Sequence, residues 1–152
     1  MADTYSQITI HLIFAVKNRR ALIKDNFKEH LYKYISGIIR NKDNKLLAIN
    51  GIPDHIHILI GLNPKNSVSS PVRDIKSNST LFVNEKIKTK DFAWQEGFGA
   101  FSYSKSQRKD VINYIQNQKE HHKKKSFKEE YINILQQSGI DYKSEYIFKA
   151  LE

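Results

Sequence analysis

Two histidines one residue apart, His55 and His57, are the side chains whose type and spacing most directly suggest chemistry. They lie in Asp54-His55-Ile56-His57-Ile58-Leu59-Ile60-Gly61-Leu62. On a strand, alternation sends Ile56, Ile58, Ile60 and Leu62 to one face and His55, His57, Leu59 and Gly61 to the other. The two imidazoles then emerge side by side, about 7 Å apart at the backbone. A strand is rigid enough to aim both rings at one point, which makes them a workable pair of metal ligands. The same pattern serves equally as a structural pair, and becomes a site only with a third ligand and a reactive group beside it. Tyr114 and Gln118, four residues apart on an expected helix, share one face of it, and His121 and His122 follow one turn later. Read alone, Tyr114 is a packing residue at the edge of the Val111, Ile112 and Ile115 stripe, and Gln118 is a solvated helix residue.

The elements that must position these groups follow from hydrophobic periodicity. Ile8, Ile10, Leu12, Phe14 and Val16 recur at every second residue, predicting a strand over 6–16 with one buried face. Asp25 fits a helix cap, with Phe27, Leu31, Tyr34, Ile35 and Ile38 at helical spacing behind it. Lys45–Ile52 and His55–Leu62 read as strands joined at Gly51-Ile52-Pro53-Asp54, a link short enough to force an antiparallel hairpin. A second helix is expected from Val72 to about Ile87, then an extended stretch over 92–104 bent at Gly97 and Gly99. Ser104-Lys105-Ser106-Gln107 fits a capping box opening a third helix to about Lys123. A fourth runs from Ser126 to Gln137 and ends at Gly139.

Strand, helix, strand, strand, helix, strand, then two helices is an α+β order: a ferredoxin-like (RRM-like) split β-α-β antiparallel sheet with helices on one face, plus a C-terminal helical extension. The other face stays available for a ligand or for the extension. With 152 residues, the chain suits a single domain: an α/β core over about 6–104, the tyrosine helix and its successor over about 105–138, and a tail over 139–152. The absence of cysteine excludes disulfides, a thiol nucleophile and thiolate metal sites. The apolar stretches are far shorter than a membrane span and the first residues lack a signal pattern, so a soluble protein is expected. The 25 Lys and Arg against 16 Asp and Glu leave a net charge of +9, the footprint of a partner rich in phosphate.

Taken together, Pro53-Asp54-His55-Ile56-His57, the segment Phe92-Ala93-Trp94-Gln95-Glu96-Gly97-Phe98-Gly99-Ala100-Phe101-Ser102, and Tyr114-Ile115-Gln116-Asn117-Gln118-Lys119-Glu120-His121-His122-Lys123 resemble the single-tyrosine HUH transposases of small bacterial insertion sequences. The resemblance runs from the first strand and Lys17-Asn18-Arg19-Arg20 to Gly139-Ile140. It implies a bacterial, cytoplasmic enzyme that cleaves and rejoins single-stranded DNA at hairpin-bearing element ends. His55, His57 and Gln118 would hold a divalent cation, Mg²⁺ or Mn²⁺, in an open shell of nitrogen and amide oxygen without carboxylate. The nucleophile falls on Tyr114, which would form a 5′-phosphotyrosine. An unperturbed phenol has a pKa near 10, so activation is expected from the cation or from the Lys and Arg around it. Arg19, Arg20, Arg73 and Lys76 are candidate phosphate contacts. Family members work as homodimers, with the tyrosine helix serving its own or its partner's site. The competing reading is a domesticated, repeat-associated relative that binds hairpins without transposing.

Overall fold

The computed structural model describes residues 3–86, 88 and 91–143. Ile87, the expected end of the second helix, and the tail over 144–152 lie outside the described residues. The elements are β1 (Thr9–Ala15), α1 (Asp25–Asn41), β2 (Lys45–Ile52), β3 (His55–Gly61), α2 (Ser69–Lys86), β4 (Gly99–Tyr103), α3 (Arg108–Gln116), α4 (Gln118–His121) and α5 (Phe127–Gln137). The four strands form one antiparallel sheet in the order β2-β3-β1-β4, so the α+β ferredoxin-like arrangement stands. No helix among the described residues is long and apolar enough to cross a membrane.

One sheet face is the main core. Ile10, Leu12 and Phe14 of β1 and Ile56, Ile58 and Ile60 of β3 pack under Leu31, Ile35 and Ile39 of α1 and Val72, Ile75 and Val83 of α2. Trp94 closes it, its indole N–H donating to Ser79 Oγ at 2.8 Å. Lys76 pins the chain that precedes β4, its ammonium donating to the carbonyls of Gln95 at 2.9 Å and Gly97 at 2.5 Å.

The opposite face is covered by the C-terminal helices rather than left open. Ile13 and Ala15 of β1 and Phe101 of β4 meet Phe127, Tyr131 and Leu135 of α5, while Ala48 and Leu59 meet Ile115 of α3. This corrects the expectation for β1, which is buried on both faces along its whole length. Gly99 lets α5 approach β4 closely, because a Cβ there would run into the Tyr131 ring and hydroxyl.

Several helix ends differ from expectation, among them that of α2, which begins at Ser69 rather than Val72. Lys24, not Asp25, occupies the N-cap of α1, and Asp25 sits in the first turn, where its charge suits the helix dipole. The third helix does not run through to Lys123: it stops at Gln116 and restarts at Gln118 after Asn117. Asn50 on β2 supplies the reason. Its side-chain amide donates to the carbonyls of Ile115 and Gln116, each at 3.0 Å, the acceptors a continuous helix would offer to residues 119 and 120. By contrast, Ser126 caps α5 as expected, and Gly139 (φ 69°) closes it in a Schellman pair of bonds, Gly139 N–H to Gln136 and Ile140 N–H to Leu135.

Candidate active site beneath the C-terminal helices

The break at Asn117 turns Gln118 inward, and the antiparallel pairing of β1 with β3 presents the histidines to it. His55, His57 and Gln118 are each fully buried. The sequence therefore places the two rings on the correct face, although that face is roofed rather than open. Gln118 Oε1 lies 3.3 Å from His55 Nε2. Tyr114, half-buried, stands edge-on to His57 with ring centroids 5.9 Å apart.

At the centre is a residue the sequence reading missed. Glu130 of α5 is 4% exposed, and His57, His122 and His55 bring Nε2 to 3.0, 3.2 and 3.4 Å of its Oε1. Its Oε2 accepts from the Tyr114 hydroxyl and from Gln118 Nε2 at 3.1 Å. Phe127, one turn earlier on α5, stacks on the His55 ring at 3.9 Å between centroids. Glu130 carried a signal in the sequence, being a carboxylate within the apolar stripe Phe127, Tyr131 and Leu135 at three- and four-residue spacing. His122 was noted only for its nearness to Gln118, and His11 not at all.

The electrostatics follow from this packing. Burial alone would lower the His55 pKa, but its bonds to Asp54 (2.7 Å from Nδ1) and Glu130 raise it above the ordinary histidine value. Burial dominates at His57 and brings it down to about 4, against the pull of Glu130. Burial would raise the Glu130 pKa, but hydrogen bonds from His122, His55 and His57 hold it far below the usual carboxylate range. These opposite shifts favour an ion pair between His55 and Glu130, whose atoms lie 3.4 Å apart. For Tyr114, burial and then the charge and hydrogen bond of Glu130 push the phenol well above 10. This corrects the expected activation by neighbouring Lys and Arg: Lys119, Lys123, Lys124, Lys125 and Lys128 are all exposed, and the charge touching the phenol is negative.

The donor set fits a divalent cation. Ligand atoms of His55, His122 and Glu130 lie within 4.8 Å of one another, His57 joins them through Glu130 Oε1, and Gln118 Oε1 adds a neutral oxygen 3.1 Å from His122 Nε2. A cation holding ligands at about 2.1 Å spaces them about 3 Å apart, and the three imidazole nitrogens stand 3.0, 3.2 and 3.4 Å from Glu130 Oε1. The hydrogen bond to Asp54 leaves His55 Nε2 to face the cluster, a common arrangement at imidazole–metal centres. The candidate donors brought together here also include a carboxylate, which the expected nitrogen-and-amide set lacks.

A cleft of about 900 Å³ between α3 and α5 leads to Tyr114 and Glu130 and is also lined by His11, Tyr103, His121 and Lys124. The candidate phosphate contacts are scattered. Arg73 is exposed on α2 and Arg20 half-exposed after β1, whereas Lys76 is held by backbone carbonyls; Arg19 lies in the turn Lys17–Arg19, its side chain outside the described ones.

Comparison with known proteins bears on the family and the fold. The family described as "Transposase IS200 like" matches residues 4–118. The transposase for insertion sequence element IS200 of Salmonella typhimurium is 28% identical over 130 residues, covering 81% of this chain and 84% of its own. The ISDra2 transposase TnpA of Deinococcus radiodurans is 24% identical over 118 residues, covering 74% and 84%. Among solved structures, a candidate transposase from Deinococcus radiodurans superposes with a TM-score of 0.61 at 22% identity, covering 78% of this chain and 96% of its own. A REP-associated tyrosine transposase bound to a REP hairpin gives the same TM-score at 20% identity, covering 80% and 73%.

Proposed function

The chain belongs to the IS200-like transposase family, and from that premise we propose that it cleaves and rejoins single-stranded DNA through a covalent 5′-phosphotyrosine at Tyr114. One observation carries the reading: the Tyr114 hydroxyl and the imidazole cluster meet on the two oxygens of one carboxylate, Glu130. That spacing suits a phosphodiester, which would offer one oxygen to the cluster and its phosphorus to the phenol.

In the cleavage step the Tyr114 oxygen bonds to phosphorus and the P–O3′ bond breaks. The phenol gives up its proton and the departing 3′ oxygen gains one. A second 3′-hydroxyl reverses the exchange on the phosphotyrosine, so no nucleotide cofactor is required. His55, His57 and Gln118, with His122 and Glu130 beside them, would hold a divalent cation, Mg²⁺ or Mn²⁺, which would supply Lewis-acid stabilisation of the phosphate and the leaving oxygen. Glu130 keeps the phenol protonated in the resting site. The nucleophile is therefore silent until the carboxylate's charge is neutralised or displaced.

The cleft between α3 and α5 supports entry of a single strand, and the hairpin seen with the REP-associated relative supports a hairpin beside it. A second copy is the proposed partner, with each tyrosine serving its own chain's histidines. Joining of a labelled acceptor strand bearing a 3′-hydroxyl to a donor strand tests this function. Joined product in wild type and none in His57→Ala is expected. Hairpin binding without any joining would move the protein to the repeat-associated reading.

A further inference from the structure

His11 sits on β1 opposite Leu59, which makes it the diagonal neighbour of His57, the partner of Ile13. Its ring is 1% exposed on a face shared with Ile13, Ala15 and Phe101, where a leucine would pack without a polar cost. Its Nε2 lies 2.8 Å from His57 Nδ1, and the two rings stack with centroids 5.0 Å apart. Its Nδ1 is buried without a hydrogen-bond partner. A core histidine chosen for packing alone would not need to meet His57 at hydrogen-bond distance, and the orphaned nitrogen is a cost that packing does not repay.

The tautomers give that cost a purpose. For His57 to offer a lone pair on Nε2 to a cation, its single ring proton must sit on Nδ1. That N–H is buried, and the atom in front of it is His11 Nε2. His11 must then be a neutral acceptor, carrying its own proton on Nδ1. Without a cation the assignments reverse: His57 Nε2–H donates to Glu130 Oε1, and Nδ1 accepts from His11 Nε2–H. The two rings change tautomer together and the net proton count stays fixed.

We infer that His11 is a positioning residue for the metal centre, orienting His57 and fixing its tautomer by accepting the Nδ1 proton when a divalent cation is bound. This rests on the proposed cation site, and the experiment separates the two. Calorimetric titration of Mg²⁺ and Mn²⁺ is run on wild type, His11→Phe and His11→Gln, with ¹⁵N NMR of the histidine rings in Mg²⁺. The expected result is affinity about 10–100-fold weaker in His11→Phe, the usual effect of losing an imidazole's outer partner, and partial rescue by the acceptor in His11→Gln. In wild type, Mg²⁺ should move the His57 proton from Nε2 to Nδ1. Wild-type binding with equal affinity in His11→Phe overturns the inference and leaves the cation site standing. If His11→Phe fails to fold, a His57 proton that stays on Nε2 in Mg²⁺-saturated wild type overturns it instead. No cation binding by wild type overturns the site and the inference together.

Discussion

The hydroxyl of Tyr114 donates to Oε2 of Glu130, whose other oxygen takes up the imidazole edges of His55, His57 and His122. The proposed nucleophile and the candidate metal-ligating cluster thus share one buried carboxylate. The charge of that carboxylate holds the cluster together and the phenol in its protonated form.

Glu130 should therefore contribute strongly to stability in the absence of cation. Glu130→Leu removes one member of a buried ionic cluster and strands the charge on His55, which should cost about 3–5 kcal/mol. Urea denaturation in chelator measures it. A loss below about 1 kcal/mol would mean that the cluster relaxes easily without its carboxylate.

Stability without cation should peak above pH 6.5. Between about pH 4 and 6.5, the unfolded chain binds protons at His57 and His11 that the folded chain excludes, so stability rises with pH. Glu130, with its depressed pKa, adds stability above the ordinary carboxylate range that is lost in acid. At higher pH, once unfolded His57 and His11 have shed their protons, the sign reverses, because folded His55 keeps a proton the unfolded chain has lost. Its contribution fades as pH rises through its folded pKa. Thermal unfolding from pH 4 to 9 should trace a dome, and a monotonic rise through pH 8 would contradict the ionised His55–Glu130 pair.

Divalent cations should stabilise the protein by mass action, by about 2.7 kcal/mol at a hundred times the dissociation constant. The effect should vanish in His55→Ala and weaken in Gln118→Ala. It should also grow with pH, since His55 must lose its proton to ligate. A thermal shift of equal size in wild type and His55→Ala would place the cation elsewhere.

The basic candidates should separate by role. Binding of a hairpin-bearing single strand should fall steeply with salt, and Arg73→Ala should reduce the salt slope by about one if Arg73 meets a phosphate. Lys76→Ala should act on folding instead, because its ammonium bridges the carbonyls of Gln95 and Gly97. A Lys76→Ala protein of unchanged stability with weakened DNA binding would reverse that assignment.

The sheet was legible because strand periodicity is local: Ile56, Ile58 and Ile60 against His55 and His57 read directly as core and site faces. What stayed hidden depends on residues far apart in the chain. The roof over β1 comes from Phe127 and Tyr131, more than a hundred residues later. The break at Asn117 comes from Asn50, whose side chain has no sequence relation to α3. Glu130 was hardest to see because a charged residue on a short amphipathic helix ordinarily faces solvent. Its position in the Phe127, Tyr131 and Leu135 stripe pointed the other way. His11 was passed over because the alternation of β1 draws attention to its apolar face.

The central claim is that Tyr114 forms a covalent bond to DNA, and denaturing electrophoresis tests it most directly. Wild type and Tyr114→Phe are incubated with labelled single-stranded DNA carrying end hairpins, with and without Mg²⁺. A Mg²⁺-dependent protein–DNA band in wild type, absent from a folded and hairpin-binding Tyr114→Phe, is the predicted result. A band that survives in Tyr114→Phe would contradict the account and move the nucleophile to another residue, with Tyr103 at the mouth of the same cleft the first to examine.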